Sequence, residues 1–293
     1  MSDAVVSTAA AEERRLSVRL PRRTGAIVGG SLLAVIVLAC IAAPLLTSYA
    51  PNAIDPSIAF QPPSWAHLFG TDELGRDLFS RMLYGGRITL VAAFGATALS
   101  LVLGVSWGYA AALGVPLVDE VLMRTADVAM AIPQILFGLV FIAAFGTDLV
   151  NLIVVVGICL SPTSGRLVRS VVLAEREADY VRAAVAFGAT RWSIAAKEIF
   201  PNTTAHLGVL AAINMANAVL LEASFSFVGL GVQPPRASWG TILQQGYLYI
   251  YQAFYYVLFP ALAIVVTMSP GRTSSTSFIR LTSRLTPPYG ALT

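Results

Sequence analysis

The chain has 293 residues, 56% of them hydrophobic and 12% charged, with a mean hydropathy of +0.73. A soluble domain carries about 25% charged residues, so neither one water-bathed core nor a disordered chain fits, and an integral membrane protein does. The net charge is +3, and every basic residue except Lys197 is an arginine, with no basic stripe of the kind that grips nucleic acid.

Cys40 and Cys159 both lie in apolar runs, which argues against a disulfide framework or a thiolate metal site. His67 and His206 lack ligand spacing, so no metal site is expected.

Six stretches of 17 residues or more carry no Asp, Glu, Lys or Arg. A spanning helix needs about 20 apolar residues, and backbone groups in lipid must be satisfied within the segment. The stretches therefore predict spanning helices at 25–47, 88–113, 128–146, 149–165, 207–231 and 252–270. The first could instead be a signal peptide, since Val37-Leu38-Ala39-Cys40 resembles a lipoprotein cleavage box. Its length and the five runs that follow favour a retained helix.

Residues 48–87 read as an extracytoplasmic segment. Thr71 is a plausible N-cap, with Asp72 and Glu73 in the first turn. Leu74, Leu78, Phe79, Met82 and Leu83 then make one apolar stripe, with Arg76, Asp77, Ser80 and Arg81 away from it. That predicts an interfacial helix on the outer leaflet, or else a plain connector. Asp119, Arg124 and Asp127 precede the third span and read as a solvated face more readily than as paired charges. Pro133-Gln134 predicts a kink, made either for transport or for simple packing. Pro162 leaves the end of the fourth span open.

Residues 166–206 form the one long cytoplasmic loop, too short for an independent enzyme domain. The pattern predicts a helix over about 174–187, with Tyr180, Ala184 and Phe187 on one face beside Ala183 and Ala186. Gly188 would stop it in a left-handed conformation, Thr190 would cap the next helix and Pro201 would mark that helix's end. Small residues beside two aromatics suit docking to another protein, or equally a hairpin packed on its own bundle. In the fifth span Glu222 is the one intramembrane carboxylate, read first as structural. Asn214 and Asn217 could line a path or make interhelical hydrogen bonds. Pro234, Pro235 and Trp239 follow on the outside, as a docking surface or an interfacial anchor.

Orientation follows from basic residues. With both ends inside, fifteen Arg and Lys fall on the cytoplasmic side and only Arg76, Arg81, Arg87 and Arg236 outside. The expectation is an all-α membrane protein of six spans. It has a cytoplasmic tail at 1–24, a transmembrane domain at 25–270 and a cytoplasmic tail at 271–293 whose composition suits disorder.

Three motifs then carry a resemblance. Tyr180-Val181-Arg182-Ala183-Ala184, Gly188 and Ile199-Phe200-Pro201-Asn202 resemble the EAA loop of ABC-importer permeases. Gly70-Thr71-Asp72-Glu73-Leu74-Gly75-Arg76-Asp77 and Leu221-Glu222-Ala223-Ser224-Phe225, with Pro234-Pro235 and Ser238-Trp239-Gly240, are similar to the peptide and nickel branch of that family. Together they resemble the C-type permease subunit of dipeptide and oligopeptide importers over about 24–268. Two departures stand out. Arg182 replaces the usual Glu that would face an ATPase arginine, and the ending after about Thr267 is atypical.

The resemblance implies a type I ABC-importer permease fold in a bacterial cell membrane, paired with a second, B-type permease. It also implies two cytoplasmic ATPase subunits and an extracytoplasmic solute-binding protein. Asp179, Tyr180, Arg182, Ala183, Ala184, Phe187, Gly188 and Pro201 would couple to the ATPases. Asn214, Asn217, Glu222 and Gln134 would line the path, and Pro234, Pro235 and Trp239 would meet the binding protein. A Walker A loop needs a Gly-Lys pair, and Lys197 sits between Ala196 and Glu198. ATP and Mg are thus expected on the partners, this chain binding no cofactor and acting as a non-catalytic subunit. Nickel, glutathione or haem are alternative cargoes. An ion-coupled secondary transporter or a membrane scaffold are alternative functions.

Overall fold

The computed structural model describes residues 22–268. Most of the expected N-terminal tail, and all of the expected C-terminal tail, lie outside the described residues. Among the described residues no strand forms, and the one isolated bridge joins Thr71 to Asp77. In chain order, α1 is Arg22–Ile41, α2 Ala43–Leu46, α3 Leu78–Leu113, α4 Pro116–Ala131 and α5 Gln134–Phe145. Then come α6 Leu149–Arg176, α7 Asp179–Ala186, α8 Arg191–Phe227, α9 Trp239–Leu248 and α10 Phe254–Met268.

Three of these, α3, α6 and α8, are long and apolar enough to cross a membrane, and the bent pair α4–α5 passes the same test together. At 36 and 37 residues, α3 and α8 reach about 54 Å, well beyond a hydrocarbon core of about 30 Å. The apolar parts of α1 (Gly29–Ile41) and α10 are shorter. Many large apolar side chains face outward, among them Val35, Leu38, Val102 and Val140. Lipid is a suitable solvent for them.

The frame is the crossing of α3 on α6. Gly104 and Gly108, four apart, bring the two backbones together, because a Cβ at either would lie 2.5 Å from Ser164 Cβ or 2.7 Å from Val168 Cβ. Pro162 sits inside α6 without ending it. Its missing N–H leaves the Ile158 carbonyl free, and the Ser161 hydroxyl donates to that carbonyl at 2.9 Å. At Pro133 the helix breaks instead. Ile132 is held extended at ψ 126° before the proline, and α4 and α5 meet at 88°. The expected kink is therefore a full break.

Asp119 and Asp127 are paired, although Asp127 stays exposed. Asp119 pairs bidentately with Arg169 at 2.5 and 2.6 Å, and Asp127 pairs with Arg166, so both tie α4 to α6. Arg169 and Arg166 lie three apart on α6, a spacing that puts both on one helix face.

The outer segment corrects the sequence reading most sharply. No separate interfacial helix forms. Asp77, not Thr71, caps α3 by accepting from the Ser80 N–H, and the helix runs unbroken into the membrane span. Thr71 is fully buried, and Arg81, Ser80 and Asp77 are buried where a wet face was expected. The reason is Asp72, which has no exposed surface. Its carboxylate accepts from the Leu74 and Arg76 amides at 2.9 Å, from Arg76 Nε at 2.6 Å and from Arg81 at 2.5 Å. Glu73 holds the other arm of Arg76 and accepts from Tyr256, while Gln245 accepts from Arg81. Beside this, His67 Nδ1 lies 2.9 Å from Asp77. One carboxylate thus locks the outer segment to α3, with Arg81 and Tyr256 linking onward to α9 and α10. Asp72→Asn should cost about 3–5 kcal/mol, since it leaves the buried Arg81 without its carboxylate. Thermal unfolding of the detergent-solubilised chain should show a clearly lowered midpoint, and an unchanged midpoint would contradict the assignment.

Candidate functional site

Two regions hold the residues that the sequence singled out, an elbow at one end of the bundle and the length of α8. The elbow begins where α6 ends at Arg176, whose guanidinium donates to the Ala112 carbonyl at the end of α3. Glu177 and Ala178 turn the chain, and α7 starts at Asp179 with that acid in its first turn, where the helix dipole favours it. The expected helix over 174–187 is thus two pieces, because residues 174–176 belong to α6. Gly188 stops α7 at φ +82°, and Thr190 caps α8 by accepting from the Ser193 N–H, both as expected.

Pro201 does not end the next helix. Between Ile194 and Ile199 the backbone widens to π geometry, and the Phe200 N–H reaches the Ala195 carbonyl five residues back. Pro201 then sits in the first turn of the segment Phe200–Phe227, where a missing N–H is tolerated. The elbow is consequently joined to the longest span by continuous helix.

The two faces of α7 differ. Val181 is buried, and Ala184 packs half-buried with it on a cluster of Ala112, Val168, Val172, Ile194, Ile199 and Leu210. Asp179, Tyr180, Arg182, Ala183, Gly188 and Pro201 are exposed. Phe187 is 92% exposed, and Trp192, which sequence reasoning missed, is 85% exposed. An aromatic two residues past the cap Thr190 was the available signal. Among the described residues Arg182 pairs with the exposed Glu177, at 3.3 Å. The Tyr180 hydroxyl donates to Glu175 at 2.5 Å, and desolvation followed by that carboxylate pushes its pKa up to about 12, so it stays neutral. A cleft of about 710 Å³ opens under the elbow, lined by Pro116, Asp119, Arg176, Arg182, Arg191 and Ile194 among others.

Along α8 the predicted path residues separate. Asn214 is buried and donates to Ser100 Oγ at 3.1 Å and Ser164 Oγ at 2.8 Å, which knots α3, α6 and α8 together. Glu222 is fully buried, with one oxygen accepting from Ser226 at 2.7 Å and the other without a partner among the described residues. Asn217 is exposed, on a face it shares with Leu220 and Phe227. Gln134 is exposed at the α4–α5 break, where it donates to the Cys159 carbonyl at 3.3 Å.

Trp239 cannot serve as a docking surface. It is 2% exposed, its indole donates to the Met82 carbonyl at 2.9 Å, and its amide donates to Thr89. Ser238 and Thr241 form a capping box around it that starts α9. Pro234 and Pro235, joined by a cis bond, are exposed.

The model of a family described as binding-protein-dependent transport system inner membrane component matches residues 100–285. That of the N-terminal TM domain of oligopeptide transport permease C matches residues 15–63. A putative peptide transport system permease protein of Brucella suis biovar 1 (strain 1330) is 42% identical over 249 residues, 85% of this chain and 84% of that protein. A probable D,D-dipeptide transport system permease protein of Escherichia coli K12 is 35% identical over 241 residues, 82% of this chain and 81% of that protein. Among solved structures, a chain of the MetNI methionine ABC transporter in inward-facing conformations superposes with a TM-score of 0.57. It is 20% identical, over 72% of this chain and 98% of that one, so the likeness concerns the fold.

Asn214 and Asn217 should respond differently to truncation. Asn214→Ala should lower stability by about 1–2 kcal/mol through the lost three-helix knot, while Asn217→Ala changes it little. Denaturant unfolding of both variants in detergent checks this, and equal losses would contradict it.

Proposed function

This chain belongs to the family of binding-protein-dependent transport system inner membrane components, and on that premise we propose that it forms half of the membrane pathway of a peptide importer. It is a permease subunit of an ABC transporter. The named peptide and dipeptide permeases among its relatives support di- or oligopeptides as cargo. In this reading the chain crosses a bacterial inner membrane six times with both ends in the cytoplasm. It pairs with a second permease and two ATPase subunits that hold ATP and Mg, and it receives cargo from a solute-binding protein outside.

One observation carries the mechanism. In the elbow, α7 buries Val181 in the bundle, the turn after it presents Phe187 outward, and the first turn of α8 presents Trp192 outward. Closure of the ATPase dimer pushes on the outward aromatics. Val181 and Ala184 pass the push to Val168 and Val172 on α6, and the π-widened stretch passes it to α8. The Asn214 knot makes α3, α6 and α8 respond as one body. The exposed face of α8 carrying Asn217, Leu220 and Phe227 turns toward the second permease and the path. The exposed Pro234-Pro235 turn meets the binding protein. Arg182, in place of the family's acid, contributes no ion pair to the ATPase, so apolar contact carries the docking.

Gly188→Glu places a side chain at φ +82°, a conformation that costs about 1–2 kcal/mol outside glycine, and puts a charge where the partner docks. The complex bearing it should still hydrolyse ATP but lose peptide uptake. Joint replacement of Phe187 and Trp192 by alanine should release the ATPase subunits during co-purification. Normal uptake by the first variant together with retained subunits in the second would overturn the elbow's role.

A further inference from the structure

At the end of the bundle where α1 stops and α3 and α6 begin lies a cleft of about 370 Å³. Arg81, Tyr84 and Arg87 reach it from α3, Leu149 from α6, Asn52 from the outer segment and Arg236 from the loop before α9. Among the described residues no carboxylate lines it. The three guanidiniums are unequally satisfied. Arg81 is bound by Asp72 and Gln245, yet its buried Nε–H has no acceptor. Arg87 donates to the Cys40 and Ile41 carbonyls at 2.6 and 2.8 Å, and its guanidinium lies 4.9 Å from the Tyr84 ring centre. Those partners are dipoles and a π face, and none is an anion. Arg236 is exposed and makes no ion pair among the described residues.

Two guanidiniums without a carboxylate, at the rim of a low-dielectric slab, leave a positive field that an anion would relieve. We propose that this cleft seats a phosphate oxyanion, supplied by the headgroup of an anionic phospholipid. Planar, forked N–H donors match phosphate oxygens in pairs. Leu149, Ile88 and the Tyr84 ring give the wall an apolar part, on which glycerol and the first acyl carbons rest while the charge stays at interfacial depth. The inference needs only that these helix ends lie at a membrane surface. It holds whichever side that is and whatever the cargo.

The test uses the full importer complex, purified in detergent and delipidated, then titrated with phosphatidylglycerol and followed by native mass spectrometry. Arg87 also caps α1, so Arg236 carries the test. Arg236→Gln should hold phosphatidylglycerol about tenfold more weakly than the unaltered complex, the effect of one lost charge-assisted contact, and Arg236→Lys should recover most of the affinity. Inorganic phosphate at millimolar concentration should fail to displace the lipid. Displacement would keep the oxyanion seat and name its source as the solution. Equal lipid affinity in all three proteins would overturn the proposal. So would an Arg236→Gln variant that keeps the lipid but loses the binding protein, since the charge would then belong to a protein contact. Uptake is not part of the readout, so the result stands apart from the fate of the elbow.

Discussion

A backbone and its polar side chains surrounded by hydrocarbon have no water to bond with, and most of this structure follows from that. Asn214 spends both of its amide hydrogens on serines of two other helices. Glu222 is turned inward onto Ser226 and away from lipid. The carbonyl freed by Pro162 is taken by the hydroxyl of the residue beside it. Where the chain leaves the apolar slab, Asp72 gathers Arg76, Arg81 and two amides so that this part of the outer segment folds back on the bundle with its charges paired.

The same constraint decides which parts can move together. Helices joined through buried hydrogen bonds resist separation; the glycine crossing joins α3 to α6, and the asparagine knot joins α8 to both. The α4–α5 unit meets α6 through charges, where Arg166 and Arg169 face Asp127 and Asp119, and through Gln134 on the Cys159 carbonyl and Asn151 on the Phe145 carbonyl, and it bends by 88° at Pro133. The elbow packs on that joined set through Val181 and Ala184. In the proposed reading, a push at Phe187 or Trp192 acts on three long helices and not on a loop.

Much of this was legible in the residues because lipid forbids charge, so charge-free runs locate apolar helices directly. Gly188 and Thr190 were legible for a local reason, since each acts through its own backbone and hydroxyl. What failed were positions whose role depends on distant partners. The stretch from Thr71 to Arg81 has the spacing of an amphipathic helix, and only Gln245 and Tyr256, far along the chain, make its polar face an inside. Trp239 has the composition of an interfacial anchor, but Met82 and Thr89 hold it in the core. Pro201 reads as a stop unless the π turn before it is known, and nothing in Ile194–Ile199 announces that turn.

The central claim is that energy enters this subunit mechanically, through the elbow, from nucleotide chemistry on other chains. The direct measurement is labelled-peptide uptake into proteoliposomes holding the complete importer, with ATP supplied only on the side of the elbow and all ion gradients collapsed. The account predicts uptake that needs ATP on that side and stops when it is replaced by a non-hydrolysable analogue. Uptake that runs without ATP and follows an imposed proton or sodium gradient would contradict it.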